Sequence, residues 1–160
     1  MMRTSRISVL WPAVVLFCFG LTLGLAGQDG SDATIFADFL ASYDEALNAK
    51  DLDKLGTFYE PEVTIFEGGG VNHGWVDYRD HHLGPELEAF EDLKFGHSAV
   101  RAFPLGAESA YVTAEYHLEA RVKERDIDVT GLATLLLVKK DGRWRIRHSH
   151  TSSRRRPARE

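Results

Sequence analysis

The chain has 160 residues, 27% of them charged, with a formal net charge of −5 and one cysteine. That length suits one domain and excludes two of ordinary size. A mildly acidic balance argues against nucleic acid, which needs a basic face to displace counterions, and a lone cysteine excludes an internal disulfide framework.

Arg3 and Arg6 precede an apolar run from Ile7 to Leu25, and Gly24-Leu25-Ala26 offers small residues at the −3 and −1 positions of a cleavage site. This order predicts a secretory signal peptide over 1–26 and hence a periplasmic or secreted protein, with no membrane contact once the leader is lost. The alternative is an uncleaved anchor, since the 19-residue run nearly spans a bilayer. Cleavage removes Cys18, and with it any thiolate chemistry. It leaves 17 basic against 24 acidic residues, a charge of −7.

The mature part begins with a polar lead-in. Ser31 or Asp32 caps a helix carrying Ile35, Phe36, Phe39, Leu40, Tyr43 and Leu47, a broad apolar stripe at helical spacing. Asp51 caps a second helix, Leu52 to Tyr59, which Pro61 stops. Val63 to Phe66 reads as a short strand ended by the glycines at 68–70, which lack the lysine and hydroxyl residue of a phosphate loop and read as a flexible mouth loop. A helical segment then starts at Trp75, with Trp75, Tyr78 and His82 on one face, His81 exposed, and Gly84-Pro85 as an interruption.

From His97 the pattern becomes that of strands: 97–103, 110–122, 127–139 and 143–152, the last two joined by an Asp141-Gly142 hairpin turn. Helices first and an antiparallel meander last predict an α+β domain over 31–153, followed by a basic tail, 154–160. The expected core includes Phe36, Phe39, Leu40, Leu47, Leu55, Phe58, Ile65, Leu135, Leu137, Trp144 and Ile146. In the last strand Trp144, Ile146, His148, His150 and Ser152 share one parity. Strict alternation therefore carries His148 and His150 from the packed core into a cavity.

Three stretches carry a resemblance: Asp141 to Ser152, Thr130-Gly131-Leu132-Ala133-Thr134, and Asn48-Ala49-Lys50-Asp51. On these the chain, over about 34–153, resembles a nuclear transport factor 2-like domain of the SnoaL-like superfamily. It is similar to members related to the association domain of calcium/calmodulin-dependent kinase II. The resemblance implies a cone-shaped curved antiparallel sheet wrapped around N-terminal helices, an internal pocket and a sheet-mediated homodimer. It leaves activity open, because the superfamily holds isomerases, dehydratases, cyclases, assembly domains and pocket proteins.

The site is expected around Tyr78, His82, His148 and His150, binding a small molecule without a cofactor. A shared metal on His148 and His150, with His117 or Glu115 as third ligand, is the weaker reading, because no carboxylate stands at fixed ligand spacing in sequence. Resemblance to the dehydratase branch suggests Tyr43, Asp44, His117 and His148 as catalytic types, with a histidine base, Tyr43 polarising a carbonyl and Asp44 orienting the imidazole or a water. A ligand-binding accessory domain is thus the first reading, a cofactor-free lyase or isomerase the second and an assembly module the third.

Overall fold

A computed structural model describes residues 31–156 of the chain, with side chains from Thr34 onward. The leader expected over 1–26 and the last four residues of the basic tail lie outside the described residues. Among those described, no helix is long and apolar enough to cross a membrane.

The domain begins with helix α1, Ser31–Asn48, whose Phe36, Leu40, Tyr43, Ala46 and Leu47 are buried. Helix α2 is shorter than the sequence suggests, Leu52–Gly56, and the Asp51 side chain caps it by accepting the Lys54 N–H at 2.8 Å. The chain is already extended at Tyr59, because strand β1, Tyr59–Glu67, has its first residues buried between helix and sheet.

The glycines are a tight turn rather than a mouth loop. Gly68 and Gly69 take φ of 59° and 83° and return the chain into a second, unforeseen strand, β2, Gly70–His73. Two consecutive positive φ values form the hairpin turn that suits strand twist, and glycine adopts them without steric cost.

Gly84-Pro85 does not interrupt the next helical segment either. Helix α3, Trp75–Tyr78, runs through a π-helical turn, Arg79–Leu83, into helix α4, Gly84–Ala89. The wider turn removes the demand for a normal i−4 hydrogen bond at the proline.

Four long strands follow: β3, Glu91–Gly106; β4, Ser109–Val122; β5, Arg125–Lys140; and β6, Arg143–Arg155. The sheet order is β2-β1-β6-β5-β4-β3. Every pairing is antiparallel except β1 with β6, which is parallel. The result is an α+β domain with a curved, unclosed six-stranded sheet wrapped around α1. The expected core residues are buried, with Phe39 and Trp144 partly covered at its margin. Trp144 stands edge-on to Phe36, with ring centroids 4.9 Å apart.

One irregularity decides which side chains reach the interior. Leu137 pairs with Ile146 but Leu136 pairs with His148, so Arg147 is an extra residue on β6. A one-residue bulge reverses the facing of everything after it. Ser149, Thr151 and Ser153 therefore point inward beside Leu135, Ala133 and Gly131, while His148 and His150 turn to the outer face.

Candidate active site

Helix α1 and the concave side of the sheet enclose a cavity of about 290 Å³. Its wall is largely leucine, isoleucine, valine and phenylalanine, interrupted by Tyr43, Tyr59, Glu67, Tyr78, Glu86, His97, Tyr116, Ser149, Thr151 and Ser153.

The inner polar group is built on α1. Asp44 and Asn48 are one turn apart and face the free edge of β3. The Asn48 amide oxygen accepts the Phe95 N–H at 2.7 Å, and its NH₂ donates to the Phe95 carbonyl at 2.8 Å. Two residues on, the His97 N–H donates to Asp44 Oδ2 at 2.8 Å. Residues two apart on a strand present their backbone groups to the same edge, so the helix side chains extend the sheet ladder.

That clamp also fixes an imidazole. His97 Nδ1 lies 2.6 Å from Asp44 Oδ1, and the two side chains are only 7% and 15% exposed. A carboxylate can only accept, so Nδ1 carries the proton and the lone pair is on Nε2. Nε2 has no hydrogen-bond partner among the described residues, and His97 lines the cavity. A histidine held this way is equipped as a general base.

Next to it, the Tyr43 and Tyr59 hydroxyls are 2.8 Å apart. Burial pushes both phenols well above their ordinary range, so both are neutral. Two hydroxyls bring two protons and one bond uses one of them. The second is a donor with no acceptor among the described residues, in the wall of an apolar cavity.

The outer polar group lies where β1 meets the π-helical turn. The Tyr78 hydroxyl donates to Glu67 Oε2 at 2.8 Å, and burial raises this phenol too. His82 Nδ1 donates to Asn72 Oδ1 at 2.9 Å, while Nε2 lies 3.5 Å from Glu86 and 3.9 Å from Glu67. Burial and the neighbouring Glu67 raise the Glu86 carboxyl.

The expected site residues divide accordingly. Tyr43 and Tyr78 line the cavity, Asp44 orients a histidine behind its wall, and His82 stands at the rim against Glu86. His148 does not line it: the Arg147 bulge turns it outward, where Nδ1 donates to the Thr64 carbonyl at 2.9 Å and the ring packs edge-on to Phe66. His150 is turned out by the same bulge, also against Phe66. Among the described residues neither histidine belongs to a convergent group of three metal-ligating side chains, with His117, Glu115 or any other third ligand.

His117 is on the outer face of β4 as well, because Tyr116 and Leu118 take the inward parity. Its Nε2 meets Asp128 at 2.8 Å and Glu119 at 3.7 Å, with the Arg156 guanidinium 3.2 Å away. Among the described residues this is the group of metal-ligating types that converges within 4.8 Å, and Arg156 already pairs with its Asp128 at 3.7 Å.

Sequence reasoning missed His97, and with it Tyr59, Glu67 and Glu86. The signal for His97 was Asp44 and Asn48 at i, i+4 beside an apolar helix face, which demanded a polar partner without saying from which strand.

The SnoaL-like domain family matches residues 37–155. No curated protein matches the sequence at a significant level. Among solved structures, a provisionally assigned ketosteroid isomerase from Shewanella frigidimarina NCIMB 400 is similar at 26% identity and a TM-score of 0.63, over 72% of this chain and 92% of that one. A nuclear transport factor 2-like superfamily protein from Salmonella enterica serovar Typhimurium LT2 superposes with a TM-score of 0.68 at 18% identity, over 76% and 90%. A provisionally assigned scytalone dehydratase from Novosphingobium aromaticivorans DSM 12444 has a TM-score of 0.64 at 15% identity, over 81% and 89%. The latter two share the fold.

Proposed function

The chain belongs to the SnoaL-like family, and from that premise we propose that it is a cofactor-free lyase or isomerase acting on a small, mainly apolar carbonyl compound. The observation that carries this is the Asp44–His97 contact at 2.6 Å in the wall of the cavity. A binding domain needs only the cavity, whereas a part-buried carboxylate that also fixes the tautomer of an imidazole in its wall favours a base. The similarity to a provisionally assigned isomerase supports the same reading.

The steps use only residues of the chain. The substrate carbonyl oxygen accepts the spare hydroxyl proton of the Tyr43–Tyr59 pair. His97 Nε2 removes a proton from the carbon next to that carbonyl, and the electron pair moves onto the oxygen as an enolate, which the tyrosine donor stabilises. Asp44 balances the imidazolium that forms. In a β,γ-unsaturated substrate the dienolate takes the proton back at its γ-carbon, which isomerises the double bond; in a β-hydroxy substrate, departure of the hydroxyl, protonated by the same imidazolium, completes an elimination.

Proton abstraction can be tested without the natural substrate. One- and two-ring ketones such as 2-tetralone are incubated in D₂O, and α-deuterium incorporation is followed by NMR. The protein should accelerate exchange, and His97→Gln should abolish the acceleration. Equal exchange with and without protein across the ketone set would overturn the proposal.

A further inference from the structure

The charge of the cavity wall restricts its ligand further, given the carbonyl-binding site above. Among the described residues no lysine or arginine lines the cavity, whereas Glu67 and Glu86 do. Both carboxylates face the same nitrogen, His82 Nε2. His82 Nδ1 donates to Asn72 Oδ1, while the Asn72 NH₂ donates to Asp77. Whichever of His82 and Glu86 holds the proton between them, the group formed with Glu67 keeps a net negative charge. At the inner end a positive charge on His97 is matched by Asp44 and offers no surplus to an anion.

The acceptors at the outer end are also incompletely used. Glu67 Oε2 takes the Tyr78 hydroxyl, but Glu67 Oε1 and Glu86 Oε2 have no hydrogen-bond donor among the described residues. The inner end shows the opposite lack, with one proton too many between Tyr43 and Tyr59. A half-buried carboxylate oxygen facing an apolar cavity gains most from a donor on the ligand.

We propose that the cavity is polarised along its length: it takes an uncharged or cationic molecule of one or two rings, its carbonyl at Tyr43 and Tyr59 and a hydrogen-bond donor, hydroxyl or protonated amine, at Glu67 and Glu86. Anionic ligands are rejected. A volume of about 290 Å³ is at the lower edge of small-molecule sites and suits a body of that size.

Three matched probes test this by calorimetry: 2-naphthylmethanol, 2-naphthylmethylamine and 2-naphthoate. The alcohol and the amine should bind, with naphthoate weaker by roughly tenfold or more. Glu67→Gln and Glu86→Gln keep an acceptor but remove charge, so they should weaken the amine by a similar factor and leave the alcohol nearly unchanged. An amine that binds without the alcohol narrows the donor to a cation, and the reverse narrows it to a hydroxyl. Naphthoate binding as tightly as the alcohol, or an amine affinity unmoved in both variants, would overturn the polarity. So would failure of all three probes to bind while His97-dependent exchange of 2-tetralone persists, a result that leaves the enzymatic reading standing. Selective binding of the alcohol and amine without ketone exchange would do the opposite.

Discussion

Replacing Asp44 with asparagine is the sharpest probe of the buried dyad, because it changes charge and hydrogen-bond direction while keeping shape. In the wild type the carboxylate accepts from the His97 N–H at 2.8 Å and from Nδ1–H at 2.6 Å. Asparagine can still accept the backbone N–H through its amide oxygen, but its NH₂ then faces Nδ1. The imidazole must present a lone pair there, so its proton moves to Nε2 and the cavity-facing nitrogen becomes a donor.

Two charge-assisted bonds become neutral ones, a loss of about 1–2 kcal/mol where both partners are nearly covered. For a domain of this size the melting temperature should fall by roughly 3–8 °C. Base catalysis should fall by about 10²–10⁴-fold, the range such groups contribute. Long-range ¹H–¹⁵N spectra report the tautomer directly, with His97 assigned through His97→Gln. Asp44→Asn should move the protonated nitrogen from Nδ1 to Nε2, and His148→Ala, on the outer face, should leave the His97 signals in place. A wild-type His97 already protonated at Nε2, or one whose tautomer survives Asp44→Asn, would refute the dyad.

Gly131→Ala should be severe, at about 3 kcal/mol or more. A Cβ there would stand 2.3 Å from both the Ser152 carbonyl oxygen and the Tyr116 ring, and the carbonyl belongs to the neighbouring strand. A denaturant midpoint equal to that of the wild type would show that β5 and β6 part more easily than their register suggests. Burial keeps Tyr43, Tyr59 and Tyr78 neutral in the fold. Their folded values lie above the unfolded value of about 10, so the stability they confer is intact below that pH and lost as pH rises beyond it. Denaturation at stepped alkaline pH, with tyrosinate absorbance as the second signal, should show these phenols ionising together with unfolding. Reversible ionisation near pH 10 in an intact fold would contradict it.

Much of the architecture was legible because it rests on repeating patterns. The stripe from Phe36 to Leu47 placed α1, Asp51 marked the start of α2, and Asp141-Gly142 marked the β5–β6 turn. The site was less legible, for two physical reasons. Alternation assigns His148 and His150 to the face of Ile146, and a single extra residue at Arg147 reverses that assignment. Bulges leave no signature in the composition of a strand. The second reason is distance: Asp44 and His97 are 53 residues apart in sequence, joined by an edge-strand contact that no local period encodes. Where a partner was near in the chain, as with Tyr78 and His82 on the helical segment, spacing was enough to find both.

The parallel pairing of β1 with β6 has a kinetic consequence. Thr64 is 84 residues from His148, and Glu60, with 1% of its side chain exposed, is ion-paired to Lys140 and Arg145 from the same late part of the chain. The edge of β1 away from β2 cannot be paired, nor can Arg145 reach Glu60, until the last strand exists. Closing so long a loop is entropically slow, and contacts of high sequence separation delay folding. The meander of β3 to β5 can assemble early, whereas β1 and β2 dock only when β6 arrives to bridge them. During synthesis the first strand would wait, one edge unpaired, for residues 84 positions further along to be made. A truncation within β6 would therefore strand the beginning of the chain as well as its end.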